Sequence, residues 1–410
     1  MTNRFMTEKE HLQKKLLDHL DYNKHLTDEE IEEIIEKEVL QRGREIYLSV
    51  EEKQQLKKEL FNSFRRLDVL SGLLEDADVT EIMINGSGNI FVEKKGRLYK
   101  AEEVFSDEER LRNVIQQIVS SCNRIVNETT PIVDARLEDG SRVNVVLPPI
   151  ALDGAVMTIR KFSKEIFTIE KLIELGSITQ EAADFLQSLV YAKYNIFVSG
   201  GTGAGKSSLL NVLSNFIPAS ERVITIEDSA ELQIQGIPNL VRLETRNANV
   251  EGENEVSMSA LIKSALRMRP DRIIVGEVRD AAAMDMVNSM LTGHDGSLST
   301  GHGNSAKEML LRLQTMVMMA NDMPVLAIRQ QLAAALDIII HIGRLRDGSR
   351  KVLEICEVVG MEDGEIIVNP LYQFKEYSEK EGKVIGFLEK TGELKHKQKL
   401  LNSGWKGEEL

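Results

Sequence analysis

The chain has 410 residues, 42% apolar and 28% charged, the balance of ordinary soluble globular material and enough length for two to three domains. Its formal net charge of −14 disfavours bulk binding to nucleic-acid backbones, and its two distant cysteines, Cys122 and Cys356, exclude a tetracysteine zinc module and read as reduced thiols. No run approaches ~18 apolar residues, and Met1–Glu10 lacks the apolar stretch of a signal peptide, so a cytoplasmic location is expected, with any membrane contact made through partners.

Residues 1–62 are polar, charge-rich and free of proline. Ser/Thr-x-x-Glu signatures recur at Thr7–Glu10, Thr27–Glu30 and Ser49–Glu52, each offering an acceptor and a reciprocal carboxylate to a helix start. Leu12, Leu16, Leu17 and Leu20 fall at helical spacing. A small N-terminal helical bundle is expected, an accessory domain or a docking module.

Residues 63–162 read as an α+β domain. Strands are expected at 79–84 and 90–93, split by Asn-Gly and Ser-Gly turns, and again at 143–146 and 156–159. A helix should open at Ser106–Glu109 and run to about Val126. Residues 163–179 read as a linker. From 180 to 375 apolar runs alternate with helical segments. Runs at 195–198, 223–226 and 272–275 suit strands buried on both faces, with helices near 206–216, 256–268 and 280–291 between them. That alternation predicts an α/β domain with a largely parallel sheet. Residues 376–410, lysine-rich and poor in apolar residues, are expected as a frayed tail.

The strongest chemical signal is Gly200-Gly201-Thr202-Gly203-Ala204-Gly205-Lys206-Ser207, with Ser208 following, between a predicted strand and a predicted helix. This is the Walker A pattern in its required context. The glycines let the backbone fold tightly and aim N–H groups at phosphate oxygens. Lys206 would reach the β- and γ-phosphates of ATP, and Ser207 would offer its hydroxyl to Mg²⁺. Hydrolysis also needs carboxylates, and two candidates end apolar strands, Glu227 (with Asp228) and Glu277. His294 and His302 lie in a glycine-rich stretch, spaced too widely for a metal pair on one helix face, and no metal other than Mg²⁺ is expected.

These motifs resemble the type II/type IV secretion ATPase superfamily, the traffic ATPases that also drive pilus assembly. Gly200–Ser207 resembles its Walker A, ITIEDSAEL at 224–232 its Asp box, LRMRPDRIIVGEVRD at 266–280 its Walker B, and Thr292–His302 its His box. DVTEIMING at 78–86, DARLEDGSRVNVVLPP at 134–149 and EVVGMEDG at 357–364 are similar to the CpaF-like branch, which assembles Tad/Flp pili. The resemblance spans roughly residues 65–375. It implies a RecA-like P-loop domain preceded by a smaller PAS-like domain, a homo-hexameric ring, and inner-membrane pilus-platform proteins as partners at the inner face of the membrane. By the same resemblance Glu277 polarises the attacking water, Glu227 helps hold metal and water, and His302 senses the γ-phosphate. Arg142 and Arg160, with Arg136 as a third candidate, would approach the phosphates, closing the domains about the 163–179 hinge. The cysteine-rich zinc insertion frequent in the type II branch is absent, and Ser229 stands where twitching-pilus ATPases often carry proline. A type IV secretion ATPase moving DNA or effectors shares the four motifs. A recombinase-like DNA-binding protein and a non-hydrolysing nucleotide switch are further alternatives.

Overall fold

The computed structural model describes residues 11–12, 15–16, 28–65, 67–94, 96–122, 124–137, 139–162, 167–246, 254–320 and 322–405. The expected helix starts at Thr7–Glu10 and Thr27, the positions Leu17 and Leu20, and residues 163–166 of the expected linker lie outside these. The chain divides into two compact units, Met1–Ser163 and Lys164–Leu410.

The first unit opens with helices α1 (Asp28–Glu45), α2 (Val50–Arg65) and α3 (Val69–Glu75). The Ser49–Glu52 signature forms as expected: Glu52 N–H donates to Ser49 Oγ at 3.1 Å and Ser49 N–H to Glu52 Oε2 at 2.8 Å. Leu12, Leu16, Ile35, Val39, Leu56 and Leu60 bury together as a small core. A six-stranded antiparallel sheet follows, in the order β3-β2-β1-β6-β5-β4. Its strands are β1 (Val79–Asn85), β2 (Ile90–Lys94), β3 (Arg97–Lys100), β4 (Ile132–Arg136), β5 (Arg142–Val146) and β6 (Val156–Arg160). Alternate residues such as Ile82, Ile84, Val143, Val145, Met157 and Ile159 face helix α4 (Glu108–Ser121) across a closed core. That helix is capped one residue later than expected, by Asp107 accepting from Arg110 N, and it ends at Ser121 rather than near Val126.

The second unit begins inside the expected linker. Helix α5 (Ile169–Glu174) is capped by Thr168, and Leu172 and Ile178 join the unit's core, so residues 167–179 are packed structure rather than a bare connector. Helix α6 (Gln180–Tyr191) leads to a nine-stranded sheet in the order β15-β14-β13-β12-β7-β11-β10-β8-β9. Strands β7 (Ile196–Gly200), β8 (Val223–Glu227), β9 (Leu240–Glu244), β10 (Arg272–Val275), β11 (Leu298–Gly301) and β12 (Ile338–Arg344) are mutually parallel. Helices α7 (Lys206–Ser214), α8 (Met258–Ala265), α9 (Ala282–Leu291), α10 (Ala306–Ala320) and α11 (Val325–Ala335) connect them. The central strands β7, β8, β10 and β11 are buried along their whole length, which explains their unbroken apolar runs.

The expected end of the domain at 375 and the frayed tail are corrected. β13 (Arg350–Glu362), β14 (Glu365–Lys380) and β15 (Lys383–Lys390) extend the sheet antiparallel, and α12 (Gln398–Ser403) follows. One face of this extension carries the charge that made it read as unstructured, while Val384, Leu388 and Leu394 are buried. Among the described residues no helix is long and apolar enough to cross a membrane.

Candidate active site

The phosphate-loop pattern sits where it was expected, between β7 and α7. Gly200 ends the strand against β12, where a Cβ would meet the Ile342 carbonyl oxygen at 2.4 Å. Gly205 immediately precedes the helix at φ +102°, a conformation L side chains rarely adopt, and no side chain caps the helix start. The first-turn N–H groups of α7 therefore point out of the protein, at the positive end of the helix dipole, a geometry that receives anions. Gly201, Thr202 and Gly203 are exposed, Ala204 is buried beneath the loop, and Ser207 faces solvent in the first turn of the helix.

Lys206 is largely buried, and its ammonium donates to Gly201 O at 3.1 Å and to His302 Nδ1 at 3.4 Å. An ammonium only donates, so Nδ1 must be the bare nitrogen and the ring proton sits on Nε2. Nε2 lies 2.8 Å from Glu277 Oε1, close enough for charge coupling. That oxygen is buried and has no aligned hydrogen-bond partner among the described residues. The other carboxylate oxygen accepts from Arg279 at 2.8 Å. Burial alone would raise the Glu277 carboxyl, but the Arg279 hydrogen bond and charge, with the charge of Lys206, outweigh it and hold the group below the usual range. Burial and the Lys206 charge push His302 down, which keeps its ring neutral near pH 7. Thr300 Oγ1 donates to Gly276 O at 2.7 Å and Val278 N–H to Thr300 O at 2.9 Å, fixing the loop that carries Glu277 to strand β11.

Glu227, the last residue of β8, is 4% exposed and lies under Gly276. Its Oε2 accepts the backbone N–H of Glu231 and Leu232 at 2.8 and 3.0 Å, while Oε1 is buried with no partner among the described residues. Burial raises its carboxyl against the pull of those two N–H bonds. An unsatisfied buried acceptor at the end of β8 and an exposed hydroxyl at the start of α7 are the oxygen donors that suit a metal taking one or two protein oxygens and keeping phosphate and water for the rest. Among the described residues no group of three or more His, Cys, Asp or Glu could hold a metal by itself. The oxygen donors of Ser207 and Glu227 are of the kind that fits Mg²⁺ carried with a nucleotide.

His294 stands apart from this cluster. Its Nδ1 lies 3.3 Å from Ser289 O at the C-terminal end of α9, where a histidine suits the helix terminus. Arg142 and Arg160 belong to the first unit. Arg136, Arg142, Arg160 and Glu81 are consecutive cross-strand partners on β4, β5, β6 and β1, on the sheet face turned away from its core. Arginines directly abreast repel one another, and Glu81 opposite Arg160 ends the row with the opposite charge.

Two residues near the phosphate loop were not singled out in the sequence. Arg279 lay inside the quoted Walker B segment, two residues from Glu277. Arg350, whose Nε donates to Gly203 O at 2.9 Å, lies 147 positions from its partner, and no motif marks it.

With this geometry in hand, the comparisons with known proteins agree. Residues 66–377 match the family described as type II/IV secretion system protein, and the chain belongs to that family. It is 34% identical over 294 residues to a Mycobacterium tuberculosis protein named for conjugal transfer, covering 70% of this chain and 83% of that one. It is 32% identical to the conjugal transfer protein TrbB of Rhizobium radiobacter, over 76% of this chain and 92% of that one. PtlH, a type IV secretion system protein of Bordetella pertussis, is 30% identical over 70% of this chain and 93% of its own length. In fold the chain resembles the ATPase DotB of Legionella pneumophila, at a TM-score of 0.51 and 21% identity over 71% of this chain and 79% of that one.

Proposed function

We propose that the chain is an ATP-hydrolysing motor of a secretion or pilus-assembly machine, acting as a homo-hexamer at the cytoplasmic face of a membrane. The observation that carries this reading is the juxtaposition of Lys206, His302 and Glu277, which sets a lysine of the phosphate loop beside a neutral ring and that ring 2.8 Å from a charged carboxylate. Residues 200–208 hold the nucleotide, and Lys206 neutralises its β- and γ-phosphates. Ser207 and Glu227 would hold Mg²⁺, which when bound would offset charge on the phosphates. Glu277 orients and polarises the attacking water, with one oxygen restrained by Arg279 and the other open. His302 lies between the phosphate end and Glu277 and senses whether the γ-phosphate is present.

In this reading the first unit is a PAS-like partner domain whose Arg142 and Arg160 meet the phosphates, with Arg136 beside them. Guanidinium groups suit the charge that spreads over three oxygens during phosphoryl transfer. Contacts that exist only before hydrolysis would close the units on ATP and relax them afterwards, about the 163–179 segment. The segments at 78–86, 134–149 and 357–364 favour a Tad/Flp pilus, with inner-membrane platform proteins as partners. A second reading, a type IV secretion ATPase that moves DNA or effectors, is favoured by relatives named for conjugal transfer and type IV secretion.

Glu277→Gln should keep ATP binding and lower turnover ~10²-fold or more, and the trapped protein can serve as bait in native membranes. Recovery of a polytopic pilus-platform protein supports the Tad reading, and recovery of conjugation components supports the second. Undiminished turnover in Glu277→Gln would remove the catalytic assignment itself.

A further inference from the structure

We infer that Arg350 is a positioning residue of the phosphate loop, holding the Gly203 peptide in its nucleotide-receiving orientation. The inference rests on the nucleotide-site reading above and adds a residue from outside all four motifs.

The loop has few ties of its own. Ala204 N–H donates to Gly201 O at 3.3 Å and Lys206 to the same oxygen, and around Gly201 and Gly203 a Cβ would meet nothing within 4 Å. On the side of β13 the Arg350 stem runs past Gly205, its Cδ 3.5 Å from where a Cβ would stand, and its Nε donates to Gly203 O. This charged hydrogen bond ties Gly203 O to a strand outside the loop.

Arg350 is itself held. Its carbonyl accepts from Ser177 Oγ at 2.7 Å, and Val352 N–H donates to Ser177 O at 2.8 Å. The neighbouring Lys351 ammonium donates to Leu175 O and Gly176 O at 3.2 and 2.7 Å. The start of β13 is therefore clamped to the turn after α5. That turn belongs to the first stretch of described chain after the boundary between the units. A guanidinium fixed at its backbone and bonded through Nε acts as a strut on the Gly203 carbonyl. With that carbonyl held by Arg350 and the N–H of the same peptide, that of Ala204, bonded to Gly201 O, the turn is fixed before nucleotide arrives, so ordering it costs less on binding. The strut also ties the phosphate loop to the α5 turn, so displacement of the one is felt by the other.

The test is ATP affinity and turnover in the full-length protein, for Arg350→Ala, Arg350→Lys and, as the control, Lys206→Ala. Arg350 is exposed, so its variants should melt like the parent without nucleotide. Arg350→Ala should raise the Kd and KM for MgATP about tenfold, about 1.4 kcal/mol, with kcat changed less than threefold. Arg350→Lys, which keeps a donor at the end of a stem of similar length, should recover most of that loss. Unchanged Kd and KM in Arg350→Ala, while Lys206→Ala loses ATP binding, would overturn the strut and leave the nucleotide site standing. An equal loss in the alanine and lysine variants would also overturn it, since direct contact of the guanidinium with the nucleotide would then be required. Should Lys206→Ala bind ATP like the parent, the nucleotide-site reading fails first.

Discussion

Glu277 occupies an unusual electrostatic position, half-buried yet held charged by Arg279 on one oxygen and the Lys206–His302 pair near the other. A carboxyl below its ordinary range must lose its proton to act, so activity fails only as pH falls through that lowered value. Without Arg279 the largest stabiliser of the charged form is gone and burial dominates. Arg279→Ala should therefore shift the acid limb of the kcat/KM profile for MgATP to higher pH, and an unmoved limb would mean that Arg279 does not govern Glu277. The identities of Lys206, Glu227, Glu277 and His302 were readable because each lies in a motif whose residues sit close in sequence at a strand end. Arg279 was half-visible, since i,i+2 positions on a loop meet only if the loop bends. Arg350 was invisible, because it reaches Gly203 only through the pairing of β12 and β13 and of β12 with β7.

At the level of elements, buried parallel strands were the most legible, because strands covered on both faces read as continuous apolar runs. The charged antiparallel extension was the least legible. Half of β14 and β15 faces outward, and its lysines and glutamates resemble those of an unstructured tail. What holds the segment beyond β15 is a buried carboxylate. Glu357, 1% exposed, accepts from Asn369 Nδ2 at 3.1 Å and from the backbone N–H groups of Lys395 and His396 at 2.9 and 2.7 Å. Glu357→Ala leaves these donors unpaired and should cost about 3 kcal/mol. Glu357→Gln, which retains an acceptor, should cost roughly half as much. Thermal melting checks both, and an alanine variant melting with the parent would show the segment to be held by its other ties, among them Tyr194 Oη to His396 O and Lys399 to Asp337.

Across the whole chain, the two units build their cores from separate residues. The clusters of the second unit draw only on residues from 172 onward and those of the first only on residues up to 159. A fragment spanning 164–410 should therefore fold and still bind MgATP, more weakly than the full chain to the extent that Arg142 and Arg160 meet the phosphates before hydrolysis. If Arg142 and Arg160 act on the phosphates, the fragment's hydrolysis should fall by ~10³, the range of arginine contributions to phosphoryl transfer. Circular dichroism, nucleotide titration and turnover decide this together, and a fragment that hydrolyses as fast as the full chain removes the arginines from the mechanism. The outer limits of each unit were poorly legible, since α5 is only six residues long and β15 lies within a lysine-rich stretch.

The order of strands in the nine-stranded sheet has a consequence for how the protein is made. β7, which carries the phosphate loop, is flanked by β11 and β12, and His341 on β12 is 142 positions beyond its neighbour Ser199 on β7. At roughly 5–20 residues per second, the ribosome needs about 7 to 28 s after the loop is synthesised to supply the second of its flanking strands. Through that interval the loop has its glycines and its lysine but no sheet to hold them, so ATP in the cell cannot stabilise the nascent chain there. Nucleotide can favour folding of this sheet only once β12 has been made.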